Sequence, residues 1–408
     1  MAKLTDEEMM KMMESADNAV TGEGPATMAE SNDGIAPLTV RKLMIIGCGD
    51  GGCNIATAIA RKIPDETFVI AYNTSKRNVN EIVCDMKVYV TSDADEKIVD
   101  GSGKSRAYSK DAFKLNAYKN LLETVNIGLE KMPDISYIIV CTTTDGGTGS
   151  GSSPMVAKLL SDNIDVPVLL MGVYPSMDED AIAQYNALEW QSEVERIGVP
   201  YFVLDNNQHG MEKPKVHAAV NNQGAMIASL LAGREFGNSS ISIIDNRNLY
   251  MLLVQMGGRL VAAIDDARPS SGQTLDDYVM AMLQKNYQPE PSNVKGIGVF
   301  IKGSQELLDK MDTSIPEVQK KYGNAVLRFA HIENSDSVEI AVLLTGCSEA
   351  APRLLEMKNR YDDIVHAQKE AASVIGDVMS GMKNLLGDPR SSKRRGEAKE
   401  PDISALDL

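Results

Sequence analysis

No apolar run in the 408 residues approaches the roughly 18 needed to cross a bilayer. The segment Met1–Glu14 is too polar for a secretory signal, so the expected location is the cytoplasm, with no insertion into a membrane. Cysteine is scarce and odd in number: five residues, at 48, 53, 84, 141 and 347, with no CxxC spacing. That count argues against a disulfide framework and against a zinc site. Thiols within apolar stretches such as Ile138-Ile139-Val140-Cys141 read as small core residues. Basic residues are also short, 41 Lys and Arg against 57 Asp and Glu, a net charge of −16. Neutralising phosphates needs clustered cations, so strong direct nucleic-acid binding is not expected. The same charge keeps monomers soluble and makes any dense homopolymer depend on salt.

What is present fits an ordinary globular chain, 43% hydrophobic and 24% charged, long enough to bury a substantial core. Residues 1–39 read as an acidic, flexible extension, in which Lys3 and Lys11 face eight acidic residues. From Val40 the pattern alternates strand and helix. Strands are expected at Lys42–Gly47, Phe68–Asn73, Lys87–Thr91, Ile135–Thr142, Val166–Val173 and Pro200–Leu204, with helical runs between them. Short apolar strands separated by helices imply a parallel sheet covered on both faces. A long helix follows, over about Val216–Gly233. Beyond it, Leu249–Ala263 and Leu275–Gln284 read as helices, and Gly296–Lys302, Ala325–Ile332 and Val338–Thr345 as strands of a second layer. A helix over about 351–387 and a polar tail, 388–408, end the chain.

Two glycine loops carry the chemistry. The first strand ends in Gly47-Cys48-Gly49-Asp50-Gly51-Gly52-Cys53-Asn54, where backbone amides and a helix N-terminus form an anion site. Gly47, Gly49 and Gly52 satisfy GxGxxG, but the next strand ends in Asn73-Thr74-Ser75 and lacks the acid that would hold a dinucleotide ribose. Gly101-Ser102-Gly103-Lys104-Ser105 is not a P-loop, because GxxxxGK[ST] requires glycine where Ile98 stands; Lys104 could still lend charge to a nearby phosphate. The second loop, Thr142–Gly151, follows an apolar strand and precedes a helical run. Its Thr144, Gly146, Gly147, Thr148, Gly149, Ser150 and Gly151 form a nest of N–H donors and hydroxyls suited to a polyphosphate.

Asp145-Gly146-Gly147-Thr148-Gly149-Ser150-Gly151 resembles the signature [SAG]GGTG[SAT]G of the FtsZ/tubulin superfamily, with bacterial, plasmid and phage members. Over about residues 40–350 the resemblance implies an α/β fold: a Rossmann-like parallel-sheet GTPase domain (40–215), a long central helix (216–238) and a smaller α+β activation domain (239–350). It implies binding of GTP and GDP, with Mg held mainly by the nucleotide phosphates. Asn73 and Thr74 would lie near the γ-phosphate, and Gly51 and Asn54 in the first phosphate loop. Cys48, Asp50, Glu179, Asp205, Asn206 and Asn222 would serve the ribose and guanine. The family's arginine after Glu179 falls on Ala183, so that contact is absent.

The resemblance further implies a head-to-tail homopolymer in which an acidic loop of one subunit completes the GTPase of the next. That loop, NxDxxD in bacterial members, stands as Ile243-Ile244-Asp245-Asn246-Arg247-Asn248. Asp245 keeps the first acid, while Asn248 replaces the second and can orient water but not act as a base, so slow hydrolysis is expected. The tail carries a basic cluster, Lys393-Arg394-Arg395, and Asp402–Leu406 resembles the division-partner peptide DIPAF, so an adaptor protein is an expected partner. The role would be cell division or DNA segregation; a GTP-binding regulator that forms no filament is the alternative.

Overall fold

The computed structural model describes residues 41–91, 100–208, 210–233, 249–267, 274–323, 326–332 and 336–385. Its first half alternates as expected: β1 Lys42–Cys48, α1 Gly49–Lys62, β2 Thr67–Asn73, α2 Lys76–Glu81, β3 Met86–Tyr89 and α3 Arg106–Ala112. A π-helical turn, Phe113–Ala117, joins α3 to α4 Tyr118–Lys131. Then come β4 Ile135–Thr143, α5 Thr148–Asn163, β5 Val168–Tyr174, α6 Ala181–Ile197, β6 Tyr201–Asp205 and the central helix α7 Lys213–Ala232. The second half contributes β7 Arg259–Ala267, α8 Leu275–Lys285, β8 Gly296–Gly303, α9 Gln305–Leu308, α10 Pro316–Tyr322, β9 Val326–Ile332, β10 Val338–Cys347 and α11 Ala351–Leu385.

The ten described strands form one sheet, in the order β3-β2-β1-β4-β5-β6-β7-β10-β8-β9. From β3 to β7 every pairing is parallel, and β10 runs antiparallel to both β7 and β8. The inner strands β1, β2, β4, β5 and β6 are mostly apolar and buried because helices cover both faces, whereas the edge strand β3 buries only Val88. Leu43, Ile45, Ile139 and Leu169 pack with Ile55, Ile59, Val220 and Ile227 on one face. Met44, Ile46, Ile138 and Leu170 pack with Leu121, Val125, Leu160 and Trp190 on the other. A third core joins Val261, Val279, Val299 and Val342 in the second half.

The described strands of the second half continue the same sheet. Among them, β7 extends it from β6 through Tyr201↔Arg259 and Phe202↔Leu260. The expected helix Leu249–Ala263 is corrected: helical turns end at Gln255, and strand begins at Arg259. Gly257 and Gly258 both take left-handed backbone, at φ 59° and 70°, which stops a helix. Pairing with β6 and β10 then claims Leu260-Val261-Ala262-Ala263-Ile264, a run whose apolar character suits either period.

The chain divides into two units, Met1–Tyr361 and Asp362–Leu408. In the second, described to residue 385, the backbone is helical, and His366 Nδ1 lies 3.5 Å from Glu370 Oε1. Among the described residues no helix is long and apolar enough to cross a membrane. The extension 1–39 and the tail 388–408 lie outside the described residues.

Candidate nucleotide-binding site

A cleft of about 500 Å³ opens at the carboxyl ends of the parallel strands, where Cys48, Asn73 and Thr143 end β1, β2 and β4 and Val173 is next to last in β5. The sheet changes direction of winding between β1 and β4, the place where open α/β sheets bind ligands. Both glycine loops reach this point. Gly49 takes φ 72°, and a Cβ there would meet Gly149 N at 3.1 Å, so the two loops touch backbone to backbone.

Each loop feeds a helix without a side-chain cap. Cys48 precedes α1 and Gly147 precedes α5, and neither side chain accepts a bond from the first turn. By contrast Ser75, Ser105 and Asp180 cap α2, α3 and α6. The first-turn amides of α1 and α5 thus present N–H groups to the cleft, at the positive ends of two helices of 14 and 16 residues. Behind α5, Pro154 has no N–H for the carbonyl of Ser150, and Arg106 Nη1 donates to that oxygen at 2.7 Å instead. Arg106 is itself held by Glu193 at 2.9 Å, so the cradle has a rigid backing.

Several of the remaining polar groups are tied to one another. Asp50 accepts from Asn73 Nδ2 and Asn78 Nδ2, both at 2.6 Å. The Thr74 and Thr148 hydroxyls are 2.6 Å apart, and Thr148 donates to Ser102 Oγ at 3.2 Å. Lys104 Nζ donates to Asp180 Oδ2 at 2.7 Å, and Lys213 pairs with Glu179 at 3.1 Å. Burial would raise the Asp180 carboxyl, but the bond from Lys104 prevails and holds it below the usual aspartate range. Cys48 lines the cleft floor, yet burial pushes its thiol well up, and it pushes the neighbouring Cys53 thiol up to about 12. Both stay protonated and inert as nucleophiles.

Of the residues singled out from sequence, Cys48, Gly49, Asp50, Gly51 and Asn54 line the cleft from the first loop, and Asn73 and Thr74 from β2. Gly146, Gly147, Thr148 and Gly149 line it from the second loop, with Glu179 and Asn206 opposite. Others stand behind the wall. A Cβ on Gly47 or Gly52 would strike Cys53 or Cys141 backbone at 2.7 and 2.2 Å. One on Gly151 would meet Arg106 O at 2.8 Å. Thr144 Oγ1 donates to Val173 O, and Ser150 Oγ donates to Gly146 O.

Asp205 is engaged elsewhere. It forms a buried ion pair with Arg353 of α11, Nε to Oδ2 at 2.7 Å, and burial pushes its carboxyl above the ordinary value against Arg353's pull. Arg353 also donates to Pro175 O at 2.6 Å, on the loop that carries Glu179.

The helix α7 presents Asn221, not Asn222, to the cleft, while Asn222 Nδ2 turns to Met226 Sδ at 3.7 Å. His217 stands one turn before Asn221 on the same wall, an i, i+4 relation that the sequence carries and that could have selected Asn221. Asp100, Ser102, Asn78 and Ser176 also line the cleft without having been singled out. Asp245 and Asn248 lie outside the described residues. Among the described residues no group of three or more His, Cys, Asp or Glu is placed to hold a metal.

Residues 42–209 match the model of the Tubulin/FtsZ family, GTPase domain. The tubulin-like protein CetZ2 of Haloferax volcanii is 24% identical over 344 residues, 79% of this chain and 93% of that protein. A GTPgS-bound protofilament structure of CetZ2 from Haloferax volcanii superposes with a TM-score of 0.65 at 22% identity, covering 80% of this chain and 99% of that one. The TubZ structure of Clostridium botulinum phage c-st gives 0.63 at 17% identity, with the same coverage. These likenesses extend the shared fold beyond residue 209, and residues 42–209 are similar to the GTPase domain of the Tubulin/FtsZ family.

Proposed function

We propose that the chain binds GTP and GDP in this cleft and assembles head-to-tail into protofilaments, with hydrolysis completed by Asp245 and Asn248 of a neighbouring subunit. The observation that carries the nucleotide reading is the convergence of two uncapped helix N-termini, α1 and α5, on one cleft. Their amides and the Thr74 and Thr148 hydroxyls would hold the phosphates, and Glu179 the ribose.

Guanine is favoured by Asn206 and Asn221. The Oδ1 of Asn206 is a buried acceptor without a protein partner, on a side chain that lines the cleft. The N1–H and 2-amino donors of guanine would satisfy such an acceptor; adenine has neither. When GTP is bound, Mg would sit on its phosphates and offset their charge. Assembly is supported by the relatives: a CetZ2 structure and a TubZ structure from Bacillus thuringiensis are both GTPγS-form protofilaments. On this reading the protein works in the cytoplasm, in division or in moving DNA, and its tail engages an adaptor. The working boundaries would be 40–215, 216–238 and 239–350.

Light scattering, phosphate release and electron microscopy with GTP, GDP and ATP test the proposal. Filaments with GTP alone are expected. Tight GTP binding without assembly would favour the non-filamentous regulator, which the departures Ile243 and Asn248 in the acidic loop support. No guanine-nucleotide binding would overturn both.

A further inference from the structure

The stretch Gly101–Lys104, which fits no phosphate motif by spacing, nonetheless forms a wall of the cleft. It is stitched to the phosphate side. Gly101 N donates to Thr74 O at 3.2 Å, and Ser102 Oγ accepts from Thr148. A Cβ on Gly147 would lie 2.5 Å from Ser102 Oγ and 2.6 Å from the Lys104 carbonyl carbon, so the loop abuts the N-terminal turn of α5. Asn186 Nδ2 fixes the far end by donating to Lys104 O at 3.1 Å. Asn206, His217 and Asn221 stand on other elements, the end of β6 and the helix α7.

Lys104 has backbone φ 65°, in the left-handed region. A residue with a Cβ is disfavoured there, and glycine, which the loop already uses at 101 and 103, would be at ease. Strained backbone of this kind concentrates at ligand-binding and switch sites. Lys104 is also the sole Lys or Arg among the described cleft residues, on walls that carry Asp50, Asp100, Asp145 and Glu179. Its ammonium rests on Asp180, whose side chain is 55% exposed. Asp180 also caps α6, where its Oδ1 accepts from Ala183 N at 2.8 Å. If Lys104 leaves, the carboxylate still faces the positive end of a helix.

We infer that Lys104 is the residue that discriminates a nucleoside triphosphate from a diphosphate, its ammonium leaving Asp180 for the terminal phosphate. The inference rests on the guanine-nucleotide reading above. A compact charge on a flexible stem can make that exchange, and a phosphate carries more charge and more acceptors than a half-exposed carboxylate. No proton or bond is transferred; one ion pair replaces another.

Calorimetric titration of the full chain with GTPγS and with GDP, below any assembly concentration, tests it. Lys104→Gln is expected to weaken GTPγS by roughly tenfold or more while moving GDP by less than about twofold. Lys104→Arg restores most of the loss. Asp180→Asn keeps the cap acceptor, frees the lysine and tightens GTPγS. Equal losses for the two nucleotides, or no change for either, would overturn the role of Lys104. Wild-type protein that binds neither nucleotide would instead overturn the guanine reading itself.

Discussion

At the scale of single residues, the cleft is defined by where a methyl group does and does not fit. A Cβ at position 149 would stand 2.2 Å from Thr142 Oγ1, 2.8 Å from Cys48 O and 2.9 Å from Thr143 O, two of them backbone atoms that cannot swing away. At Gly146 nothing lies within 4 Å. Gly149→Ala should therefore cost about 1–3 kcal/mol in urea unfolding and spread the two loops, whereas Gly146→Ala should stay within about 0.5 kcal/mol. Equal costs at both positions would mean that the loops do not touch as described. Sequence displayed the glycines but not this difference, since spacing says nothing about what faces each Cα. The Asn221–Asn222 pair failed for a related reason: neighbours on a helix point about 100° apart, and one sequence cannot fix the rotation of α7.

At the scale of elements, the first turns of α11 are bound to the loop Pro175–Glu179 beside the cleft. Arg353 pairs with Asp205 and donates to Pro175 O, and Arg360 Nε donates to Met177 O at 3.0 Å. Both arginines thus grip the segment that leads to Glu179. Arg353→Met leaves Asp205 buried and uncompensated and should cost about 3–5 kcal/mol, most of which Asp205→Asn should restore in the double variant. The pH dependence has a definite sign. Burial raises the Asp205 carboxyl above its unfolded value, so the stability this group contributes is present below the unfolded carboxyl range and is lost as pH rises through the folded value. Without Arg353 the folded value climbs further. The deficit of Arg353→Met should therefore be smaller near pH of about 5 than at neutrality, read from urea midpoints across pH. A deficit that grows on acidification would contradict this account. The expected strands β1, β2, β4, β5 and β6 were legible because a parallel sheet covered on both faces demands unbroken apolar runs. The stretch Leu249–Ala263 was not, because the same apolar residues serve a helical turn and then a strand, and the decision rests on Gly257, Gly258 and partners distant in sequence.

At the scale of the whole molecule, the ten described strands form one sheet across both halves, so the cleft and the antiparallel region are joined by strand hydrogen bonds. Sequence predicted the alternation of the first half and close-set strands in the second, but not their union, which depends on the two register pairs between β6 and β7. A polymer built from this chain stacks copies that each carry a net charge of −16. Electrostatic repulsion between them reaches about 30 Å at 0.01 M salt and about 10 Å at 0.1 M. If head-to-tail assembly buries apolar and nucleotide-mediated contacts, repulsion is the opposing force and screening it should favour the filament. The critical concentration for GTP-driven pelleting should then fall several-fold as monovalent salt rises from about 10 to 150 mM at fixed magnesium, while GTP affinity of the monomer changes little. The opposite trend would mean that complementary charges, not apolar surface, join the subunits. Within such filaments Asn248→Asp restores the second acid of the loop and should raise phosphate release per assembled subunit, with pelleting as the control. Unchanged turnover at equal assembly would show that Asp245 alone sets the rate.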